Sequence, residues 1–176
     1  MHRAILTLLD GGRRTLPCEL RFVRSIGAPL SPDLIASLES ALHAPVIEGY
    51  GLTEVGAATS NPLPPGQRKP GSVGTVTGAE VAVFDASGLR LAPGVEGEIR
   101  IRGAAVTSGY WNDAEATRAS FHDGWLRTGD LGRFDERRVF TAKNRHRVAR
   151  AVDSPMPHAP RGAKDLIHEL VDHMQA

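Results

Sequence analysis

Residues 20–50 read LRFVRSIGAPLSPDLIASLESALHAPVIEGY, and this stretch decides the fold. Apolar and polar residues alternate over residues 20–26, which predicts a β-strand. Ser31 followed by proline is a typical N-cap and first-turn pair, so a helix should begin there and end near His43. The apolar face of this helix would be formed by Leu34, Ile35, Leu38 and Leu42. Residues 45–48 predict a second strand, and the whole stretch therefore predicts a βαβ-like unit.

The carboxyl ends of these two strands carry residues that suit a nucleotide. Ligands bind outside the carboxyl ends of strands in such sheets, so the turn at Gly27 should meet residues 49–54, which read GYGLTE. Glycines let a backbone turn tightly and approach a ligand. The Tyr50 ring can lie flat on a purine, the Thr53 hydroxyl can bond a phosphate oxygen, and Glu54 can hold Mg²⁺. Taken alone, the six residues are equally typical of a glycine-rich turn with a half-buried tyrosine.

Further motifs follow downstream in a recognisable order. Residues 97–103 read GEIRIRG, residues 109–112 read GYWN, and residues 123–130 read DGWLRTGD. Together with GYGLTE they resemble the adenylate-forming enzymes, which include acyl-CoA synthetases, adenylation domains of nonribosomal peptide synthetases and firefly luciferase. The resemblance covers about residues 1–140. It implies an α/β fold, part of the family's large domain, in which a βαβ-like layer is followed by an antiparallel β subdomain.

The resemblance also implies roles for individual residues. It assigns adenine binding to Gly27, Ala28 and Pro29 on one side of a pocket and to Tyr50 on the other. Further nucleotide-binding residues would be Glu48, Gly49 and Gly51. Asp130 would accept hydrogen bonds from both ribose hydroxyls at an exposed turn, and Arg145 would also reach the ribose. Thr53 and Glu54 would be the catalytic residues, with Glu54 as the metal ligand. An Asp after Gly is also a common turn former, so the accompanying motifs are what favour ribose binding for Asp130.

The middle of the chain predicts a surface loop and antiparallel strands. Residues 61–72 are rich in proline and glycine, which favours a loop without regular structure. This loop resembles the corresponding one of the oxalate–CoA ligase branch of the family, which suggests a small acid substrate. Residues 74–76, 80–85 and 97–103 are short alternating runs that predict an antiparallel β subdomain. Glu98 is interpreted as a structural residue at a strand start rather than as a catalytic one.

Two elements of the family pattern have no match in this sequence. A family member carries a Ser/Thr/Gly-rich phosphate loop upstream of GYGLTE, and residues 1–48 do not contain one. The family's catalytic lysine stands in a Gly-Lys context, and none of Lys69, Lys143 and Lys164 does. We therefore expect a chain that retains adenine and ribose contacts while it loses much of the rate acceleration.

The sequence also predicts a division into two parts. We expect residues 1–136 to be a partial AMP-binding (adenylation) domain. Residues 137–176 would be a divergent basic tail, with a linker at 153–162 and one short helix at 163–174. Because the family pattern is lost in this tail, the chain is interpreted as a truncated or frame-shifted form of a longer gene product.

Composition limits the partners. A formal net charge of +1 does not predict a polyanionic partner, and the basic residues at 137–150 lack the interleaved aromatic residues that stack on bases, so no nucleic-acid binding is predicted. No apolar run approaches the ~20 residues that a membrane-spanning helix needs. The single Cys18 is interpreted as a small core hydrophobe, and a cytoplasmic location is expected. None of these features predicts an oligomeric state.

The predicted function is that of an ATP-dependent acid–thiol ligase of the acyl-CoA synthetase type. By resemblance, a small carboxylic or fatty acid would react with ATP to form an acyl-adenylate, and the acyl group would then pass to the thiol of coenzyme A. ATP, Mg²⁺ and coenzyme A are the implied cofactors and co-substrates. Two alternatives stay open. One is a non-catalytic remnant that binds ATP or AMP weakly or not at all, and the other is an adenylation domain that loads a carrier protein.

Overall fold

The computed structural model describes residues 2–10 and 19–143. The elements in chain order are α1 (His2–Asp10), β1 (Val23–Ile26), α2 (Pro32–Leu42), β2 (Val46–Leu52), β3 (Gly56–Ser60), β4 (Thr75–Val76), β5 (Glu80–Phe84), β6 (Gly97–Arg102), α3 (Ala114–Ser120), β7 (Phe121–His122), β8 (Trp125–Phe134) and β9 (Phe140–Lys143). The features predicted at Cys18, Arg145, residues 153–162 and residues 163–174 lie outside the described residues.

The first sheet has the strand order β1-β2-β3-β4, and its first two strands form the predicted βαβ unit. β1 and β2 are parallel, with Ile26 opposite Gly49, and α2 connects them. The Ser31 hydroxyl accepts a hydrogen bond from the Leu34 N–H at 3.3 Å, which is the predicted N-cap. The helix ends at His43, which has a φ of 50°. Both predicted helix boundaries are therefore confirmed, whereas β1 is shorter than its predicted range.

The helices cover one face of this first sheet with an apolar layer. Leu38 is fully buried, and Leu42 and Val46 are nearly so. The partly buried residues that pack against them are Ile5, Leu6, Leu9, Leu20, Val23, Leu30, Leu34 and Ile35. The predicted apolar face of α2 thus packs against α1 and the sheet. No helix in the described part of the chain is long and apolar enough to cross a bilayer.

The glycine motif lies within β2 instead of following it. The sequence predicts a strand over residues 45–48 that delivers Gly49 and Tyr50 at its carboxyl end, whereas β2 continues to Leu52 and forms an antiparallel hairpin with β3. A Cβ at Gly49 would lie 2.7 Å from the Thr59 carbonyl oxygen, and a Cβ at Gly51 would lie 2.0 Å from that of Gly56. The predicted strand is therefore too short, and these glycines are required because β2 and β3 approach too closely for a side chain.

The second sheet has the order β5-β6-β8-β7, with β9 paired to β8, and all of its pairings are antiparallel. This confirms the predicted antiparallel subdomain for β5 and β6. The prediction for residues 74–76 is wrong, because β4 pairs with β3 and so belongs to the first sheet. Glu98 lies 3.0 Å from Arg100 and 3.2 Å from Arg127 in two ion pairs, which agrees with its structural interpretation.

Phe140 in β9 joins the two sheets. The residue is fully buried, its N–H donates to the Gly74 carbonyl at 2.8 Å, and its own carbonyl accepts from the Val73 N–H at 2.9 Å. The centroid of its ring lies 4.7 Å from that of Phe134 and 6.2 Å from that of Tyr50. The core around these rings also contains Val55, Ala58, Val81, Val83, Ile99, Ile101 and Leu126. Residues up to 143 thus belong to the second sheet, and the predicted division at residue 136 stays a prediction.

The proline-rich segment at residues 61–72 contains no strand or helix, as predicted. Two ion pairs attach it to its surroundings. Arg68 pairs with Glu39 of α2, and the Lys69 ammonium lies 2.6 Å from the Asp135 carboxylate in the β8–β9 hairpin. The segment therefore connects the helical layer to the second sheet.

Gly51→Ala is expected to lower the free energy of unfolding by about 3 kcal/mol or more, because the new methyl group would overlap the Gly56 carbonyl and force β2 and β3 apart. Urea unfolding of the purified chain, followed by circular dichroism, measures this change. Gly94→Ala is the matched control: a Cβ there meets nothing within 4 Å at a φ of 90°, so backbone strain alone should cost about 1 kcal/mol. Equal losses in both variants would contradict the packing argument.

Candidate functional site

The turn after β1 and the middle of β2 enclose one small cavity. Because Ile26 lies opposite Gly49, the turn that follows Ile26 comes level with Tyr50. The cavity is lined by Gly27, Ala28, Pro29, Glu48, Gly49, Tyr50, Val73 and Ala142. Six of the seven residues predicted to bind the nucleotide in these two segments therefore line one cavity. The seventh, Gly51, is further along β2 and does not line the cavity.

The cavity is much smaller than a purine base. Its volume is about 20 Å³, which is room for about one water molecule. A base bound here would lie across the mouth of the cavity, against the backbone of the Gly27 turn and the exposed edge of Tyr50. Only 4% of Tyr50 is exposed, so the ring offers a ligand a limited contact area in this structure.

Glu48 is the acidic residue of the cavity. It is 7% exposed, and the Leu30 N–H donates to its Oε1 at 3.4 Å. Burial raises the pKa of this carboxyl above its usual value, and the hydrogen bond from Leu30 opposes that shift only in part. A carboxyl group that protonates more readily can donate a hydrogen bond to a base as well as accept one.

Asp130 meets Tyr50 from the second sheet. The Tyr50 hydroxyl donates to Asp130 Oδ2 at 2.9 Å, across 80 positions of sequence. Asp130 is 2% exposed and lies inside β8. The prediction that Asp130 stands exposed at a turn is therefore wrong, and its role in ribose binding stays a prediction.

A bulge in β8 directs Asp130 inward. Between Arg127 and Leu131 the strand carries three residues, while the facing part of β6 carries only Ile99. Gly129 accommodates the extra length with a φ of 69°, a conformation that glycine adopts easily. The Thr128 hydroxyl fixes the bulge, since it donates to the Ile99 carbonyl at 2.8 Å and accepts from the backbone N–H of Asp130 at 3.1 Å. Thr128, Gly129 and Asp130, a sequence typical of turns, thus form a bulge within a strand.

The Tyr50 hydroxyl is held in its protonated form. Burial raises the pKa of this phenol far above its usual value, and the neighbouring Asp130 charge raises it further. The hydroxyl is therefore protonated near neutral pH and donates to Asp130.

The predicted catalytic pair lies on the turn between β2 and β3. Thr53 is exposed, and Glu54 is half-buried. Glu54 is held at two points: the Tyr110 hydroxyl donates to its Oε1 at 2.8 Å, and its carbonyl accepts from the Thr107 N–H at 2.7 Å. The roles of Thr53 in catalysis and of Glu54 in catalysis and metal binding stay predictions.

The surroundings of Glu54 fit a magnesium ion that is bound mainly by its substrate. No group of three or more His, Cys, Asp or Glu side chains that could hold a metal occurs within the described residues. Mg²⁺ is commonly bound through one or two carboxylates together with substrate phosphates rather than by a complete protein cage. A single carboxylate such as Glu54 suits that mode of binding.

Four residues of this site were missed by the sequence analysis. Val73 and Ala142 complete the cavity, Thr128 fixes the bulge, and Tyr110 contacts Glu54. Thr128 and Tyr110 both lie in motifs that the sequence displays, and a hydroxyl side chain beside a motif glycine is the signal that could have pointed to them. Nothing local to Val73 or Ala142 distinguishes them from ordinary apolar residues.

Comparison with known proteins settles the family. A family model described as AMP-binding enzyme matches residues 1–111. The chain belongs to this family. The match confirms the resemblance that the motifs carry, and it contains the cavity residues of β2 and of the turn after β1, while Asp130 and Ala142 lie beyond it.

The relatives of this chain include acid–CoA ligases. The oxalate–CoA ligase of Arabidopsis thaliana is 44% identical over 137 residues, which cover 77% of this chain and 27% of that protein. The sulfoacetate–CoA ligase of Cupriavidus necator is 43% identical over 130 residues, which cover 73% of this chain and 26% of that protein. The solved structure of the anthranilate–CoA ligase AuaEII in complex with anthranoyl-AMP has a TM-score of 0.71 at 30% identity, over 80% of this chain and 27% of that chain.

These relatives confirm the predicted fold class and identify a lineage rather than a substrate. The mixed α/β architecture of this chain matches that of AuaEII. The chain spans about a quarter of the length of the curated relatives it matches. The relatives are named as ligases that join different acids to CoA, so similarity to them indicates acid–thiol ligases without selecting an acid.

Glu48→Gln is expected to change how stability depends on pH. The raised pKa of Glu48 means that the folded state binds more protons than the unfolded state, so the free energy of unfolding falls as pH rises from about the usual carboxyl value of 4.5 through the folded pKa. Glutamine keeps the acceptor for the Leu30 N–H and cannot ionise. The variant should therefore match the wild type at pH 4 and be more stable at pH 7.

Urea unfolding between pH 4 and pH 8 tests this expectation. Glu136→Gln, at an exposed position of the β8–β9 hairpin, is the control that removes one carboxylate without a buried partner. A Glu48→Gln variant that is less stable than the wild type at pH 7 would refute the assignment of the burial effect to this carboxyl.

Proposed function

We propose that this chain carries the adenosine-binding part of an ATP-dependent acid–thiol ligase, which forms an acyl-adenylate and then an acyl-CoA thioester. One observation carries the proposal: the hydrogen bond from Tyr50 to Asp130 sets a buried carboxylate beside the cavity that the Gly27 turn forms with β2. A base at the mouth of that cavity would have its ribose near Asp130. The similarity to AuaEII, a structure solved with anthranoyl-AMP, supports an adenylate as the ligand.

Each part of an adenylate would have its own contacts. The base would lie against Gly27, Ala28, Pro29 and Tyr50. Asp130 would accept hydrogen bonds from the ribose hydroxyls, and charge-assisted bonds of this kind are the stronger ones. The exposed Thr53 hydroxyl would donate to an oxygen of the α-phosphate. The cavity lies beside the first sheet, and the Asp130 carboxylate belongs to the second sheet. The packing of the two sheets would therefore set the distance between the base and the ribose sites.

The proposed reaction brings two anions together. The acid's carboxylate oxygen attacks the α-phosphorus of ATP, the bond to the pyrophosphate oxygen breaks, and pyrophosphate leaves with the electron pair. A thiol then attacks the acyl carbon and releases AMP. Mg²⁺, when bound at Glu54, supplies positive charge that offsets the repulsion between the reactants. Thr53 contributes a donor where negative charge develops on the phosphoryl oxygens.

Two of the relatives are named for short, charged acids. Oxalate and sulfoacetate, the acids named for two of them, each carry a second anionic group close to the reacting carboxylate. We therefore propose an acid of this size, with coenzyme A as the thiol. A carrier-protein thiol is the alternative acceptor.

A second candidate is a chain that binds the nucleotide without performing the reaction. The small volume of the cavity, about 20 Å³, favours this interpretation, since weak binding results when a base must lie across a narrow mouth.

Asp130→Asn is expected to weaken AMP and ATP binding by about tenfold or more, which corresponds to about 1.4 kcal/mol, because the variant loses the charge that strengthens the ribose hydrogen bonds. Asparagine retains an oxygen that can accept from Tyr50, so the fold should survive. Calorimetric titration of the purified chain with each nucleotide, with Mg²⁺ present for ATP, measures the change. Asp123→Asn is the matched control, since Asp123 is exposed and has a φ of 49° that asparagine tolerates.

The outcomes separate the two candidates. Nucleotide binding that Asp130→Asn weakens and Asp123→Asn leaves unchanged supports the proposed adenosine site. If oxalate or sulfoacetate then stimulates the exchange of pyrophosphate with ATP, the chain is a ligase, and if no acid does so, it only binds the nucleotide. A folded wild-type chain that binds neither AMP nor ATP refutes the site altogether.

A further inference from the structure

We propose that Tyr110 is a positioning residue for Glu54 and that its hydroxyl orients the Glu54 carboxylate toward a divalent cation bound with ATP. The inference rests on the proposed function, because it takes Glu54 as the carboxylate that holds the cation. It assigns a role to the GYWN motif at residues 109–112, which the proposed adenosine contacts do not use.

Two hydrogen bonds attach the segment before α3 to the β2–β3 turn. The Tyr110 hydroxyl donates to Glu54 Oε1 at 2.8 Å, and the Thr107 N–H donates to the Glu54 carbonyl oxygen at 2.7 Å. One contact fixes the backbone of Glu54 and the other fixes its side chain. Both come from a segment more than 50 positions away in sequence, so this arrangement depends on the tertiary fold and not on the turn itself.

Tyr110 is itself held in place. Its backbone N–H donates to the Thr117 hydroxyl at 2.9 Å, and that hydroxyl donates to the Asp113 carbonyl at 2.8 Å. The Asp113 side chain caps α3 by accepting from the Ala116 N–H at 2.8 Å. A Cβ at Gly109 would lie 2.7 Å from the Thr117 side chain, which explains the glycine directly before the tyrosine. The backbone of Tyr110 therefore has a well-defined position relative to α3.

A fixed carboxylate is a better ligand than a mobile one. A glutamate on a turn has several rotamers, and ordering its side chain on binding costs about 1–2 kcal/mol of conformational entropy. The bond from Tyr110 fixes Oε1 before any cation arrives and leaves the second oxygen for the cation. A phenol is a neutral donor, so it orients the carboxylate without cancelling its charge. Outer partners of this kind commonly account for about tenfold or more in metal affinity.

The test compares Tyr110→Phe with Trp111→Phe. The first variant removes only the hydroxyl that donates a hydrogen bond to Glu54. The second changes the neighbouring Trp111 side chain, which is 91% exposed. Calorimetry gives two quantities for each variant: the affinity for AMP without Mg²⁺, and the Mg²⁺ concentration that gives half-maximal ATP affinity. The melting temperature of the chain without ligand reports any loss of stability.

We expect Tyr110→Phe to raise the Mg²⁺ concentration needed for half-maximal ATP affinity by about tenfold while the affinity for AMP stays unchanged. Trp111→Phe should alter neither quantity. In a Glu54→Gln background, Tyr110→Phe should have no further effect on the Mg²⁺ requirement, because the carboxylate that it orients is gone.

Other results would overturn the inference. If Tyr110→Phe leaves the Mg²⁺ requirement unchanged, or weakens AMP and ATP binding equally, the hydroxyl has a merely structural role. If Tyr110→Phe still raises the Mg²⁺ requirement in full when Glu54 is already glutamine, the Tyr110 hydroxyl acts through a group other than Glu54. A wild-type chain that binds no nucleotide refutes both the proposed function and this inference. If the wild-type chain binds nucleotide and Tyr110→Phe leaves the Mg²⁺ requirement unchanged, only the role of Tyr110 is refuted.

Discussion

The hydrogen bond between Tyr50 and Asp130 is the contact on which the candidate site depends. A carboxylate that is 2% exposed is stable only with donors around it, and the Tyr50 hydroxyl at 2.9 Å is one of them. A hydrogen bond to a charged group contributes about 1.5–3 kcal/mol net. Because the two partners come from different sheets, the same bond that stabilises the carboxylate fixes the position of one sheet on the other.

Local signals in the sequence were sufficient for the first sheet and its helix. Ser31 with the following proline begins α2 where predicted, and the spacing of apolar residues placed the correct face of the helix in the core. The parallel pairing of β1 and β2 then results from the βαβ connection, and it brings Gly27 and Gly49 to one edge. Six cavity residues were predictable because short-range patterns determine both strands, and because ligands bind outside the carboxyl ends of parallel strands.

Long-range partners decided the features that the sequence analysis missed. Thr-Gly-Asp is typical of a turn, but the pairing of β8 with β6 makes it a bulge and buries Asp130. The two residues of β4 carry no signal for which sheet they join. Glu54 and Tyr110 are 56 positions apart, and no local pattern links them. In each case the local structure depends on which backbone or side chain from a distant part of the sequence packs against that position.

The backbone pairing of Phe140 with Val73 and Gly74 determines where the chain can be shortened. Both main-chain groups of Phe140 bond to the two residues directly before β4, while its ring packs in the core cluster. A recombinant piece that stopped at residue 136 would leave the apolar residues beneath that ring facing water and would open the cavity on its Ala142 side. The smallest piece suited to crystallisation or solution spectroscopy therefore has to retain all of β9.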